Sequence, residues 1–346
     1  MAGGAYRGGA VVSVLPEGLE HGGRLNQAAR QWGIPRSDWL DLSTGISPHG
    51  YPVPSIPEAV WQRLPEDDDG LDAVARDWLG LPAGAGCLPV AGSQAALQTL
   101  PALRLPCRVG VVAPAYAEHA RAWQQGGHEV VLLTVDEVEK ALTGLNVLVC
   151  VNPNNPTGAL LPAATLRRWH QQLATSGGWL VVDEAFLDAS MGETLATDAH
   201  LTGLVVLRSL GKFFGLAGLR AGLVIAEPAL CHALQQALGP WAMSHPARYV
   251  MAQAIQDQAW QQQQRQRLRE DRKRLDGLLN DAGLFPRGDS HLFAWCPGDQ
   301  SQVHFEALAR QGVLVRYFAE PQALRFGLAG SEAQWDRLRS ALSALA

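Results

Sequence analysis

Cysteine is scarce in this sequence, and its spacing suggests no chemistry. The 346 residues include five cysteines, an odd number, and no two of them form a CxxC pair. The missing pairs exclude the common zinc and redox motifs, and the odd count argues against a disulfide framework. We therefore expect idle thiols in a reducing cytoplasm and no metal site.

The sequence also lacks an excess of positive charge and any long apolar run. Lys and Arg number 28 against 33 Asp and Glu, which gives a net charge of −5 and a pI near 6.1. A nucleic-acid surface needs a basic patch, and a membrane span needs about 20 apolar residues. The apolar core of the N-terminal segment is short and stops before Glu17, so no signal peptide is expected. These features predict a cytoplasmic protein without a nucleic-acid or membrane partner.

Three motifs that bind nucleotides or zinc are absent as well. No GxGxxG follows a strand, and no histidine pair has the HExxH spacing. Lys212 follows a glycine but precedes Phe213, so the phosphate-binding GxxxxGK[ST] pattern is not present. Nicotinamide, P-loop and zinc-protease interpretations therefore lack the residues that their chemistry requires.

Short apolar runs alternate with helical patterns between residues 109 and 226. The runs are RVGVVAP, EVVLLTV, NVLVCVNP, GWLVVDEAF, GLVVLRS and AGLVIAE. Continuous apolar runs bounded by turns are typical of parallel strands buried on both faces. The alternation predicts an α/β fold, a three-layer, mostly parallel sheet with helices on both faces, together with a smaller α+β domain.

The pattern changes after about residue 240. A single long amphipathic helix is predicted from residue 252 to Gly283, followed by a shorter strand–helix segment and a final helix from about Ser331. We expect a large domain at 55–238. The small domain would combine residues 1–54, which include an N-terminal arm, with residues 239–346.

Four segments place polar or small residues where ligands bind in such sheets, at the carboxyl ends of strands. They are NPNNPTG at 152–158, Asp183 after its strand, RSLGKFFGLAGLR at 208–220, and AGSQAAL at 91–97. Taken singly, each is explained as well by a turn or a helix cap, and Lys212 by a surface lysine whose stem packs on apolar neighbours. Together they match the needs of one cofactor.

NPNNPTG, VVDEAF and RSLGKFFGLAGLR, in this order, resemble the fold-type-I pyridoxal-phosphate enzymes, and the match covers most of the chain. The resemblance implies an aspartate aminotransferase-like large domain that binds pyridoxal 5′-phosphate. Lys212 would form a Schiff base, which favours a lowered pKa, and Asp183 would pair with the ring nitrogen. The remaining cofactor-binding residues implied are Gly92, Ser93, Gln94, Tyr116, Asn155, Ser209 and Arg220.

Further segments, including HGGRLNQAARQWGIP, PAYAEHARAW and GPWAMS, resemble the threonine-phosphate decarboxylase branch of these enzymes. This resemblance implies decarboxylation of O-phospho-L-threonine to (R)-1-amino-2-propanol O-phosphate in cobalamin biosynthesis, by a homodimer. Histidinol-phosphate aminotransferase or a related class I/II aminotransferase is the alternative. The implied substrate-binding residues are His21, Gly22, Asn155, Arg316 and Arg325.

Some positions depart from the patterns of these enzymes. Phe186 stands where aminotransferases have Tyr, as in the decarboxylase branch, and Gly45 stands where that branch has Asn. We expect that one polar substrate contact is either missing or replaced by Ser43 or Ser47. Leu64 stands where aminotransferases have a Tyr that reaches the partner subunit's cofactor, and Gly211 where a serine or threonine often precedes the lysine.

Overall fold

The computed structural model describes residues 21–190 and 192–345. The helices of these residues are α1 Leu25–Trp32, α2 Glu58–Gln62, α3 Leu71–Leu79, α4 Ser93–Thr99, α5 Glu118–Gln125, α6 Val135–Ala141, α7 Ala163–Ala174, α8 Pro228–Leu238, α9 His245–Gln256, α10 Gln258–Asp281, α11 Ser301–Arg310 and α12 Glu332–Ser343. The strands are β1 Leu40–Asp41, β2 Gly86–Val90, β3 Arg108–Val112, β4 Glu129–Leu133, β5 Val147–Val151, β6 Trp179–Asp183, β7 Leu204–Ser209, β8 Gly222–Ala226, β9 Phe293–Pro297, β10 Val313–Leu314, β11 Arg316–Ala319 and β12 Gln322–Gly327.

A seven-stranded sheet forms the centre of the molecule, in the order β2-β8-β7-β6-β5-β3-β4. Six of its seven strands run in the same direction, and only β8 runs antiparallel to both of its neighbours. The predicted three-layer α/β fold and its six apolar runs are confirmed. The runs omit β2, whose Pro89 weakens the strand pattern but is accommodated because β2 is an edge strand.

Alternate side chains of the strands enter two separate cores. On β5, Leu148 and Cys150 join one apolar cluster, whereas Val147 and Val149 join the other. Successive strand residues point to opposite faces of a sheet, so a strand covered by helices on both sides must be apolar throughout. Every residue of β5 and β8 is accordingly buried.

Two smaller sheets lie outside the central one. Strands β11, β12 and β9 form an antiparallel sheet, and β1 pairs in parallel with β10. The pairing of β1 with β10 supports our proposal that residues 1–54 join residues 239–346 in one domain, although residues 1–20 of the predicted N-terminal arm lie outside the described residues. The large domain that we propose at 55–238 contains all seven strands of the central sheet.

The prediction of one long helix from residue 252 to Gly283 is wrong, because two helices occupy this segment. Helix α9 ends at Gln256, and α10 starts at Gln258 and ends at Asp281. Asp257 interrupts the helix because its carboxylate accepts a hydrogen bond from the backbone N–H of Trp260 (2.9 Å) and caps α10. The predicted final helix is confirmed, since α12 starts directly after its capping residue Ser331.

None of the helices in the described ranges is long and apolar enough to cross a membrane. Within the same ranges, no cluster of His, Cys, Asp and Glu could hold a metal ion. All five cysteines are free thiols.

Candidate active site

A cavity of about 490 Å³ opens at the carboxyl ends of β5, β6 and β7. Val151, Asp183 and Ser209, the last residues of these strands, all line it. The cavity also brings together every candidate site residue that the sequence predicts: His21, Gly22, Gly92, Ser93, Gln94, Tyr116, Asn155, Asp183, Ser209, Lys212, Arg220, Arg316 and Arg325.

Lys212 lies in the loop after β7, and its half-buried side chain lines the cavity. Burial lowers the pKa of this amine to about 8, and the positive charges of Arg325 and Arg220 act in the same direction, whereas Asp183 opposes them. The lowered pKa expected for a Schiff-base lysine is therefore present. At neutral pH such an amine can give up and take back a proton at little cost.

Asp183 is buried at the end of β6 and has two defined partners. Its Oδ2 lies 2.9 Å from Nε2 of His119, and its Oδ1 accepts a hydrogen bond from the backbone N–H of Ala185 (3.0 Å). The sequence motifs assign no role to His119. Tyr116 lies just before α5, and its ring centroid is 6.1 Å from that of His119, but the local sequence gives no sign of the contact with Asp183.

Gly92, Ser93 and Arg220 form a compact cradle at one side of the cavity. Gly92 has φ of 78° and precedes the first turn of α4, and a Cβ at this position would lie 2.9 Å from Nη2 of Arg220. A side chain at Gly92 would therefore displace the guanidinium. The backbone N–H groups at the start of α4 and the charge of Arg220 together favour an anion.

Two residues beside this cradle show how closely its backbone is packed. The Oγ of Ser209 accepts a hydrogen bond from the backbone N–H of Gly211 (3.2 Å). A Cβ on Gly211 would lie 3.2 Å from the Cα of Ala217, so the serine or threonine that often precedes the lysine would require the backbone to shift.

Arg316 and Arg325 face each other across strands β11 and β12. Nη1 of Arg325 donates to Oδ1 of Asn155, and Nη2 donates to the backbone carbonyl of Ser43 (2.8 Å). Its Nε is buried and has no hydrogen-bond partner among the described residues. Burial lowers the pKa of Arg325 to about 9, with Arg316 acting in the same direction. Two neighbouring cations with an unused N–H group favour an anionic ligand.

His21 and Gly22, the first described residues, form a polar and closely packed side of the cavity. Nε2 of His21 lies 2.9 Å from Oε1 of Glu118, and a Cβ on Gly22 would meet the carbonyl oxygen of Ser43 at 2.2 Å. The hydroxyl of Tyr116 donates to Oε1 of Gln94 (3.1 Å), and burial raises the pKa of Tyr116 to about 12. Tyr116 therefore stays neutral and offers its ring as an apolar wall.

The structure does not support the expectation that Ser43 or Ser47 compensates for Gly45. Neither serine lines the cavity, so neither provides a polar group there. The Ser43 hydroxyl donates to Asp41 (2.6 Å), and the Ser47 hydroxyl accepts a hydrogen bond from Gln264 (2.7 Å). Leu64, the other departure of this kind, is 60% exposed and lies outside the cavity lining.

Ser47 and Gln264 support the loop that carries Lys212, and the sequence pattern does not predict either contact. The backbone carbonyl of Lys212 accepts from the N–H of Ser47 (3.0 Å). The buried side-chain amide of Gln264, on α10, donates to the Ser47 hydroxyl and to the backbone carbonyl of His49 (2.9 Å). A run of glutamines and charges is typical of a solvated helix face, so the pattern gives no hint of these contacts.

The family model for aminotransferase class I and II matches residues 76–342. The chain belongs to this family. The predicted recognition is thereby confirmed, and the family's sequence pattern spans the segments that carry the cradle, Asp183, Lys212 and both strand arginines.

Individual relatives extend the comparison to the rest of the chain. A threonine-phosphate decarboxylase from Pseudomonas aeruginosa is 50% identical over 324 residues, which cover 94% of this chain and 97% of that protein. A second threonine-phosphate decarboxylase, from Sinorhizobium sp., is 38% identical and covers 94% of this chain and 98% of its own length. The crystal structure of histidinol-phosphate aminotransferase from Sinorhizobium meliloti, in complex with pyridoxal-5′-phosphate, superposes with a TM-score of 0.81 at 22% identity and covers 97% and 99% of the two chains.

Proposed function

We propose that this chain is a pyridoxal-phosphate-dependent lyase that decarboxylates O-phospho-L-threonine to (R)-1-amino-2-propanol O-phosphate in cobalamin biosynthesis. The observation that carries the proposal is that one cavity combines an amine of lowered pKa, on Lys212, with the facing Arg316 and Arg325. The 50% identity to a threonine-phosphate decarboxylase supports it.

The residues present are suited to pyridoxal phosphate. Gly92 leaves room for Arg220 beside the first turn of α4, where the phosphate would be held, and Ser93, Gln94 and Ser209 line the same side. Tyr116 would cover one face of the ring. When bound, the cofactor supplies an aldehyde for amines and a conjugated ring that accepts the electron pair of a broken bond at the substrate α-carbon.

Asp183 would keep the ring nitrogen protonated. A buried carboxylate held by His119 and by a backbone N–H is fixed in position, and a charge-assisted hydrogen bond that it accepts contributes about 1.5–3 kcal/mol. Lys212, with a pKa of about 8, can return a proton to the substrate α-carbon after the carboxylate has left.

Substrate orientation decides between decarboxylation and transamination, because the bond that breaks is the one held perpendicular to the ring. Arg325 and Arg316 would bind the anionic groups of the substrate in two-point fashion, with Asn155, Gly22 and His21 beside them. An arginine anchored by Asn155 and Ser43 has little freedom, so it can hold a carboxylate in one position.

The test is an assay of the protein loaded with pyridoxal phosphate. With O-phospho-L-threonine and no oxo acid, it should release CO₂ and the phosphorylated amino alcohol in equal amounts, and the Lys212→Ala variant should release neither. Product that forms only when an oxo acid is added would instead identify an aminotransferase.

We further propose a homodimer that acts in the cytoplasm. Several large apolar side chains of the described residues are exposed, among them Trp61, Leu64 and Trp241 at 59–64%, and a partner subunit would cover part of this apolar area. Five free thiols agree with a reducing compartment. Light scattering of the purified protein tests the oligomeric state, and a mass of 37.2 kDa would exclude the dimer.

A further inference from the structure

Gly45 lies between two phenylalanine rings that leave no space for a side chain. A Cβ built on Gly45 would lie 2.9 Å from Cε1 of Phe186 and 2.9 Å from Cδ1 of Phe293. Both contacts are shorter than real Cβ atoms tolerate, and neither ring can withdraw, because Phe186 is 3% and Phe293 0% exposed. The glycine at 45 and the two rings therefore form one packing unit.

The same rings connect the two cations of the site. Phe186 and Phe293 meet edge to face with centroids 5.2 Å apart. Nζ of Lys212 lies 5.6 Å from the centre of the Phe186 ring, and Cζ of Arg325 lies 5.1 Å from the centre of the Phe293 ring. An aromatic face attracts a cation and stabilises its position, most strongly where water is excluded.

Phe293 is the member of this unit that does not itself line the cavity. Phe186 and Gly45 line it, whereas Phe293 lies behind them, against the guanidinium of Arg325. The face of Phe293 limits the position of Arg325 on one side, and the bonds to Asn155 and Ser43 limit it elsewhere. A change at Gly45 would therefore reach Arg325 by way of this ring.

We propose that Phe293 is a positioning residue that, packed against Gly45 and Phe186, fixes the guanidinium of Arg325 for binding of a carboxylate. The proposal rests on the proposed function only for the identity of the carboxylate, which is that of the substrate. It also gives a physical reason for a glycine at position 45, because Phe293 and Phe186 occupy the volume that a longer side chain would need.

A double-mutant cycle tests the coupling in the cofactor-loaded protein. The variants are Gly45→Ala, Phe293→Met and the double variant, and Phe326→Met is the control, since Phe326 is equally buried next to Arg325 along β12. Calorimetry would compare 3-phosphonopropionate, which has a carboxylate but no amine to react, with propylphosphonate, which lacks the carboxylate. The thermal midpoint of each variant would confirm that it folds.

Gly45→Ala and Phe293→Met should each weaken the binding of 3-phosphonopropionate by about tenfold. Each should weaken the binding of propylphosphonate by less than about twofold, because only the carboxylate reaches Arg325. The double variant should bind 3-phosphonopropionate at least as tightly as the single variant with the lower affinity, since a methionine side chain at position 293 can move away from the new methyl group on residue 45. Phe326→Met should change neither ligand's affinity. Additive losses, or equal losses for both ligands, would overturn the proposal.

These readouts separate the inference from the function on which it rests. Wild-type protein that binds both phosphonates and shows the coupling, but releases no CO₂ from phosphothreonine, would refute the proposed function alone. Wild-type protein that releases CO₂ without any coupling between Gly45 and Phe293 would refute this inference alone.

Discussion

Burying the amine of Lys212 should cost folding free energy in the protein without cofactor, and this cost should depend on pH. The pKa of the amine is lowered from 10.5 to about 8. At about 1.36 kcal/mol per pKa unit, the charged form is disfavoured in the folded state by about 3 kcal/mol. Replacing Lys212 with methionine, which keeps the stem apolar and uncharged, should recover most of that free energy at pH 7.

The sign follows from proton linkage. Below pH 8 the amine is protonated in both the folded and the unfolded state, so the full cost is present. Between pH 8 and 10.5 the unfolded chain binds more protons than the folded chain, and stability of the wild-type protein therefore rises with pH. The advantage of Lys212→Met should fall through this range and approach its pH-independent packing contribution above pH 10.5.

Urea unfolding of the cofactor-free wild type and variant at pH 7 and pH 10.5 measures the effect. Lys140→Met is the matched control, because Lys140 is exposed and its replacement should change stability little at either pH. An advantage of Lys212→Met that is equal at both pH values would refute the assignment of a buried, readily deprotonated amine at this position.

Three further substitutions test other parts of the site. His119→Ala should leave a carboxylate oxygen of Asp183 without its partner. The free energy of unfolding, measured by urea titration, should fall by about 1–3 kcal/mol, and cofactor binding, measured by absorbance, should weaken. An unchanged cofactor affinity would contradict the role given to the His119–Asp183 pair. Arg325→Met should raise KM for phosphothreonine by about tenfold to a hundredfold and raise the pKa of Lys212, and an unchanged pH profile would be the contrary result. Gln264→Leu should lower kcat more than it raises KM, because the Gln264 amide supports the loop that carries Lys212 without lining the cavity. Gln264→Asn, whose amide is too short to reach the same partners, should lower kcat as much. A wild-type kcat in either variant would exclude this support.

The sequence predicts the parts of the molecule that local patterns determine. Apolar runs identify six strands because a strand buried on both faces must be apolar throughout, and the ends of those strands indicate the candidate site. Three features stand out at these ends: Asp183 is the last residue of its strand, the NPNNPTG segment follows its strand directly, and Lys212 comes three residues after its strand. Resemblance to a known family then supplies their roles.

The remaining features depend on contacts between residues distant in the chain. Nothing near His119 indicates that its ring meets a carboxylate 64 residues later, and nothing near Gln264 indicates a partner 217 residues earlier. The break at Asp257 escapes prediction because one capping carboxylate outweighs a helical pattern that continues on both sides. At Gly45 the sequence indicates only a missing polar group, since the two rings against its α-carbon come together only in the folded chain.

The central claim is that Lys212 is the amine that bonds the cofactor. The chain contains only three lysines, at positions 140, 212 and 273, so covalent labelling can give an unambiguous result. The measurement is borohydride reduction of the protein loaded with pyridoxal phosphate, followed by peptide mass mapping. A single cofactor adduct on Lys212 is the predicted result, and an adduct on Lys140 or Lys273 with Lys212 unmodified would contradict it.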